Sequence, residues 1–297
     1  MEKKIQMMEE CILQLQLKLL IEKVPFSQDI IPENLRLIDV PPFIRAKIKA
    51  IQFNSNYEVK DAVFQNAKNV GQNRVYQGYW YNDKQNGRGQ EYNDKEQKYF
   101  YGYWQNGIFV QGLIITENYL FEGDAKDNQF LKGVLVYMDQ RIYLGNFYQG
   151  ELNDENGEYR YKKEKYIGGF KKGMKQGKGK LENEQFIYEG EFENNQICGQ
   201  GVLIEKENGW RQEGQFKDGK LDGKGVYIRS LGDFYEGEFK QGQRHGKGTL
   251  KRDGITYQGN FVEGKLNGWV QMIQDKRIYK CYFEIGEEDK NKRQLVQ

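Results

Sequence analysis

Histidine is almost missing from this 297-residue chain; His245 is the only one. The cysteines, Cys11, Cys198 and Cys281, are scattered and form no C-x-x-C pair. One imidazole and isolated thiols assemble no metal-ligand spacing and imply no disulfide framework. That cysteine usage reads as a reduced intracellular protein. The four prolines, Pro25, Pro32, Pro41 and Pro42, all precede the part of the chain described next. A proline-free region suits a fold in which every strand donates to a ladder. No stretch of 18 apolar residues occurs, so no transmembrane helix is expected. The N-terminus carries acids, and Gln14, Gln16 and Lys18 interrupt its apolar run, which argues against a signal or transit peptide. Excess charge is also absent: 45 basic minus 43 acidic residues leaves +2. Nucleic acid, which needs a concentrated positive field, is therefore not an expected partner.

Glycine and aromatic residues are plentiful, with 35 Gly, 21 Tyr, 17 Phe and 4 Trp. A chain rich in Gly and Tyr but poor in aliphatic residues suits thin repeated modules better than one thick core. The pattern aromatic-x-Gly-x-aromatic recurs at Tyr76–Trp80, Phe100–Trp104, Tyr143–Phe147, Tyr166–Phe170, Tyr188–Phe192, Tyr235–Phe239 and Tyr257–Phe261. Degenerate copies stand at Phe121–Ala125, Gln212–Phe216 and Tyr279–Phe283, where Cys281 replaces the glycine. The central positions are 78, 102, 123, 145, 168, 190, 214, 237, 259 and 281, a period of 21 to 24. In the best copies further glycines follow at plus 5, plus 9 and plus 11, as at Gly242, Gly246 and Gly248.

Period 2 explains one unit. Tyr188, Gly190 and Phe192 lie on one face of a strand, and Glu189, Glu191 and Glu193 on the other. The stretch from plus 5 to plus 9 is expected to be the turn, where Gly or Asn permits positive φ. The return strand places Gly246, Gly248 and Leu250 on one face. A glycine beside an aromatic leaves room for the ring to lie across the neighbouring strand. A lone hairpin is marginal in water, but stacked hairpins share an aromatic row.

Outside the repeats, Ile5, Met8, Ile12, Leu15 and Leu19 space a helical face over residues 4–22. The alternation Leu13, Leu15, Leu17, Leu19 reads instead as a strand; length and composition favour the helix. Pro41-Pro42 opens a second helix with Ile44, Ile48 and Ile51 on one face. These helices are expected to cap the first hairpin or dock on a partner. The domain reading is therefore 1–70, an N-terminal helical segment; 71–286, about nine to ten hairpin repeats; and 287–297, a charged tail expected to fray.

These residues make the sequence resemble the MORN-repeat family (membrane occupation and recognition nexus), whose pattern is Y-x-G-x-F/W-x-x-G-x-x-x-G-x-G. The copies starting at Tyr166 and Tyr235 match it throughout; those at Tyr188 and Tyr257 miss one glycine each, at Asn195 and Val270. The copies at Phe100 and Phe121 carry Gly112 and Gly133 at plus 10, so pairing is expected to be least regular from about 107 to 157. The resemblance implies an all-β repeat: an elongated, twisted, single-layer antiparallel sheet of stacked β-hairpins, with a short N-terminal helical segment. It also implies a scaffold, since members occur in radial-spoke heads, basal bodies, cortical cytoskeleton and membrane junctions.

Chemistry finds no foothold in the sequence. Gly242-Gln-Arg-His-Gly246-Lys-Gly248 superficially looks like a phosphate loop but has the wrong spacing, and it recurs in phase at Gly173–Gly179 and Gly219–Gly225. His245 falls in an expected turn without a nucleophile motif near it. No catalytic, cofactor-binding or metal-binding residue is assigned, and no cofactor is expected. The expected role is a non-enzymatic scaffold in the cytoplasm or cytoskeleton, at a cilium or basal body, with cytoskeletal or axonemal proteins as partners. The protein-binding candidates form the aromatic face: Tyr166, Phe170, Tyr188, Phe192, Phe216, Tyr235, Phe239, Tyr257 and Phe261. The C-terminal edge is the candidate site for a homodimer or a docked partner strand. The alternative is a peripheral membrane adaptor, with Lys171, Lys172, Lys175, Arg244 and Lys247 touching anionic lipid.

Overall fold

The computed structural model describes residues 57, 59–71, 73–116, 118–127, 129–137, 139–229 and 233–297. The helices expected within residues 4–52 lie outside the described residues. The chain divides into two compact units, Met1–Lys162 and Lys163–Gln297. Among the described residues both are all-β, built from antiparallel strands that pair between neighbours.

The first unit contains β1 (Val63–Gly71), β2 (Arg74–Tyr81), β3 (Lys84–Asn93), β4 (Lys98–Gln105), β5 (Ile108–Ile115), β6 (Tyr119–Lys126), β7 (Gln129–Tyr137), β8 (Ile142–Tyr148), β9 (Glu151–Leu152) and β10 (Asp154–Tyr161). β1 pairs with β2, so the strand array begins inside the segment read from sequence as helical. The glycines form one row across the ladder: Gly78 faces Gly89, then Gly102, Gly112, Gly123, Gly133 and Gly145 in turn.

That row corrects the expectation of irregular pairing through Gly112 and Gly133. In the plus-11 copies two residues, such as Gly246 and Lys247, bulge between Gly248 and His245. In the plus-10 copies the bulge holds one residue, Val110 or Leu131. The shorter bulge absorbs the missing residue and the glycines stay opposed. Irregularity begins later, where β8 pairs with both β9 and β10.

The second unit contains β11 (Glu164–Lys171), β12 (Met174–Glu182), β13 (Phe186–Glu193), β14 (Gln196–Glu205), β15 (Arg211–Lys217), β16 (Lys220–Ile228), β17 (Phe234–Lys240), β18 (Gln243–Arg252), β19 (Ile255–Val262), β20 (Lys265–Gln274), β21 (Arg277–Glu284) and β22 (Glu287–Leu295). Its row runs Gly168, Gly179, Gly190, Gly201, Gly214, Gly225, Gly237, Gly248 and Gly259. Val270 and Cys281 then take the glycine places and pair with each other. Both are fully buried and, with Met272 and Phe283, make a small terminal core. Side chains there do the work that glycine and a tyrosine ring do elsewhere.

The turns are tighter than the sequence implied. Only plus 4 and plus 5 form the bend, and both have positive φ: Lys172 at 51° and Gly173 at 71°, Gln241 at 50° and Gly242 at 81°. This is the type I′ hairpin geometry. Asn194 at 49° and Asn195 at 70° show how a glycine-free turn adopts it. The plus-9 glycine belongs to the bulge, as with Gly246 at 55°. The turns also tie hairpins together: Gly219 N–H donates to Ile197 O at 3.0 Å, and Gly242 N–H to Leu221 O at 2.8 Å.

The last residues are ordered into β22, not frayed. Glu284 pairs with Glu287 and Tyr279 with Leu295. Arg293 lies on Glu288 at 2.7 Å, so the charges of the tail pair along their own strand.

Candidate interaction surfaces

The repeated element is a tyrosine laid over a glycine. In each well-formed copy the Tyr at minus 2 crosses its hairpin, and its hydroxyl donates back to the chain. Tyr235 reaches Glu238 O at 3.0 Å and His245 O at 3.3 Å. Tyr188 reaches Glu191 O at 3.2 Å and Cys198 O at 3.1 Å. Tyr166 donates to Gly169 O at 3.1 Å. Burial pushes all three phenols up to about 12. Each ring meets the Phe of its own and of the next copy edge-on, as Tyr235 does Phe239 at 5.0 Å and Phe261 at 4.9 Å.

The aromatic row named from sequence therefore comes together, but as core. Tyr166, Phe170, Tyr188, Phe192, Phe216, Tyr235, Phe239 and Phe261 are buried, and Tyr257 is half-buried.

The cations named from sequence are not brought together. Lys175 faces Phe170 and Arg244 faces Phe239, which puts both on the ring face. Lys175 is held by Glu164 at 2.6 Å. Lys171 and Lys247 alternate to the outer face, and Lys172 sits in a turn.

Arg244 instead joins a basic cluster that borders the row, whose grouping around Asp233 the sequence did not show. Arg229, Arg244 and Arg252 line an open cavity of about 380 Å³ with Asp233 among them. Arg229 and Arg252 each approach Asp233 at 3.9 Å. Arg229 lies over Trp210 at 4.4 Å, and Arg244 over Tyr235 at 5.8 Å. Burial pulls the Arg244 guanidinium below its usual range, and the two neighbouring arginines add to that. The signal was weak because Arg229 follows the end of β16 while Arg244 and Arg252 stand near opposite ends of β18.

His245 lies in β18, paired with Glu238. The glycine-rich Gly242–Gly248 stretch is a hairpin turn and a strand, not a loop entering a helix. Among the described residues no group of three His, Cys, Asp or Glu could hold a metal. No helix among them is long and apolar enough to cross a membrane.

An all-β ladder with one ring and one glycine row per hairpin defines a repeat protein. The MORN repeat family matches residues 76–95, 166–182, 188–204, 213–233, 235–255 and 257–268, and this chain is a MORN-repeat protein. The copies starting at Phe100, Phe121, Tyr143 and Tyr279 fall outside those ranges, although Phe100 and Phe121 keep the glycine register. No curated protein matches the chain. MORN repeats are non-enzymatic modules that serve protein and membrane interaction.

Proposed function

We propose that this protein is a non-enzymatic structural scaffold of a ciliary axonemal or basal-body cytoskeletal assembly. The observation that carries the scaffold reading is the repeated display in the second unit. Successive hairpins present the same outward positions, Glu189, Glu213, Glu236 and Gln258, each exposed. Two strands separate one copy from the next, about 9.6 Å. Such a face suits a partner that is itself periodic. The ciliary setting rests on the kinds of assembly in which proteins of this family occur. The strand β22 ends the ladder with no further strand on its outer side among the described residues. That edge is the proposed site for a second copy or a partner strand.

Extraction of cells tests the reading. The protein should remain with the demembranated cytoskeleton and crosslink there to axonemal or basal-body components. Release with detergent, together with salt-sensitive binding to anionic vesicles, would favour the membrane-adaptor reading. Against that reading, the cations assigned to lipid lie on two faces, and Lys175 is already paired.

A further inference from the structure

Strands β4 to β7 of the first unit are buried on both faces. Along β4 the ring face carries Phe100, Gly102 and Trp104, and the outer face carries Tyr99, Tyr101 and Tyr103. These three outer tyrosines are 3, 2 and 1% exposed. Leu113 and Ile115 on β5, Leu120 and Glu122 on β6, and Val134 and Val136 on β7 continue the same outer face, all buried. In the second unit Glu189 and Glu236, which correspond to Tyr101, are exposed, and Val202 and Thr249, which correspond to Leu113, are only half-buried. A single ladder covers neither of its own faces, and its pairings here run only between neighbouring strands. An apolar sheet face of this extent needs a second layer.

We propose that residues 1–56 of this same chain form that layer, lying across the outer face of β2 to β8. The place where the described chain begins supports this occupant. The ring of Tyr57 sits 6.0 Å from that of Tyr103, in the middle of the face. The preceding residues thus start from the surface they would cover. Their sequence supplies apolar side chains at helical spacing: Ile5, Met8, Ile12, Leu15 and Leu19, then Ile44, Ile48 and Ile51. Dimensions agree as well. A helix over residues 4–22 would be about 28 Å long, and the six strand steps from β2 to β8 span about 29 Å. On the face Gln90 donates to Gln77 at 2.7 Å and Gln111 to Asp124 at 2.7 Å, beside the apolar Leu113, Leu120, Val134 and Val136. The amino-terminal segment then acts as an intramolecular cover that reserves the outer face of the first unit, while the outer face of the second stays open to partners.

Photo-crosslinking in the full chain tests this. A benzophenone amino acid replaces Tyr103, and unlabelled protein is mixed with heavy-isotope copies. Crosslinks should join position 103 to peptides from residues 1–56, light to light only. Crosslinks to heavy peptides would make the occupant a second copy, and crosslinks elsewhere or none would equally overturn the proposal. A second variant leaves the strands untouched: Ile12→Asp with Leu15→Asp and Ile48→Asp. Hydrogen exchange should then speed up roughly tenfold or more in β4, β5 and β6, with β13 to β18 unchanged. Unchanged protection in β4 to β6 would overturn it.

Discussion

A side chain on Gly248 would begin 2.4 Å from the hydroxyl oxygen of Tyr235. The same relation joins Gly201 to Tyr188 at 2.3 Å, Gly179 to Tyr166 at 2.3 Å and Gly89 to Tyr76 at 2.2 Å. Neither partner is freely adjustable: each ring is fully buried, and its hydroxyl donates to the backbone it crosses. The two ends of the motif, minus 2 and plus 11, are therefore one packing unit, and the sequence period records it.

Substitution at the covered glycine should be costly. Gly201→Ala forces the Tyr188 ring outward, and overpacking of this kind costs about 1–3 kcal/mol. In a Tyr188→Leu background the same change should cost less, because the two residues couple. Gly173→Asn serves as the control: its φ is 71°, nothing lies within 4 Å, and Asn195 already occupies the equivalent place at 70°. Denaturant titration of the variants measures each effect. Equal costs for Gly201→Ala in both backgrounds would dismiss the pairing.

The buried phenols predict alkaline sensitivity. Tyr166, Tyr188 and Tyr235 are raised from 10.0 to about 12 by burial. A raised pKa means that the native state holds its proton after the unfolded chain has lost it. The contribution is therefore complete below pH 10 and is lost as pH rises through about 12. Urea midpoints should fall across that window, and Tyr188→Phe should flatten the slope while lowering stability at pH 8. A midpoint independent of pH between 10 and 12 would contradict the burial argument.

The glycine period and the face alternation could be read directly, because each depends on residues close in sequence. Gly112 and Gly133 could not be placed, since a bulge can shed one residue without moving the row, and spacing alone does not reveal that. The fate of Glu287–Leu295 was hidden by composition: its charges look like a solvated tail, yet Arg293 pairs Glu288 within the strand. The buried outer face of the first unit was present in the letters. Tyr99, Tyr101 and Tyr103 alternate with Phe100 and Trp104, and a strand apolar on both faces signals cover on both sides. The aromatic row was found residue by residue, but its use as core rather than open surface depends on how neighbouring copies close over each ring.

Arg244 occupies a position that other copies give to the core. Leu152 and Leu221 stand at the same plus-7 place and are 2 and 1% exposed. Arg244 instead spans Tyr235 and Phe261, with its charge disfavoured by burial. Arg244→Leu should therefore leave the melting temperature unchanged or raise it. A partner contacting the Arg229, Arg244 and Arg252 cluster should bind the variant less tightly. A clear fall in melting temperature would show that the arginine is structural.

The C-terminal edge gives the last test of assembly. Residues 277–284 cannot be removed cleanly, because Cys281 and Phe283 pack on Val270 and Met272. Truncation after Gly286 spares that core and deletes only β22. The loss includes the half-exposed Arg293–Glu288 pair and the Arg293 contact with Met272 Sδ at 3.6 Å, so a modest fall in stability is expected. The Tyr188 and Tyr235 copies lie several strands away and should keep their hydrogen-exchange protection. If β22 is the edge that adds a partner strand, the truncated protein should lose self-association or partner capture in sedimentation and pull-down experiments. Reversing the exposed Glu189 should leave self-association unchanged, since it touches only the outward display and not the strand edge. Normal assembly of the truncated protein, with loss in the Glu189→Lys variant, would move the contact from the strand edge to the outer face of the second unit.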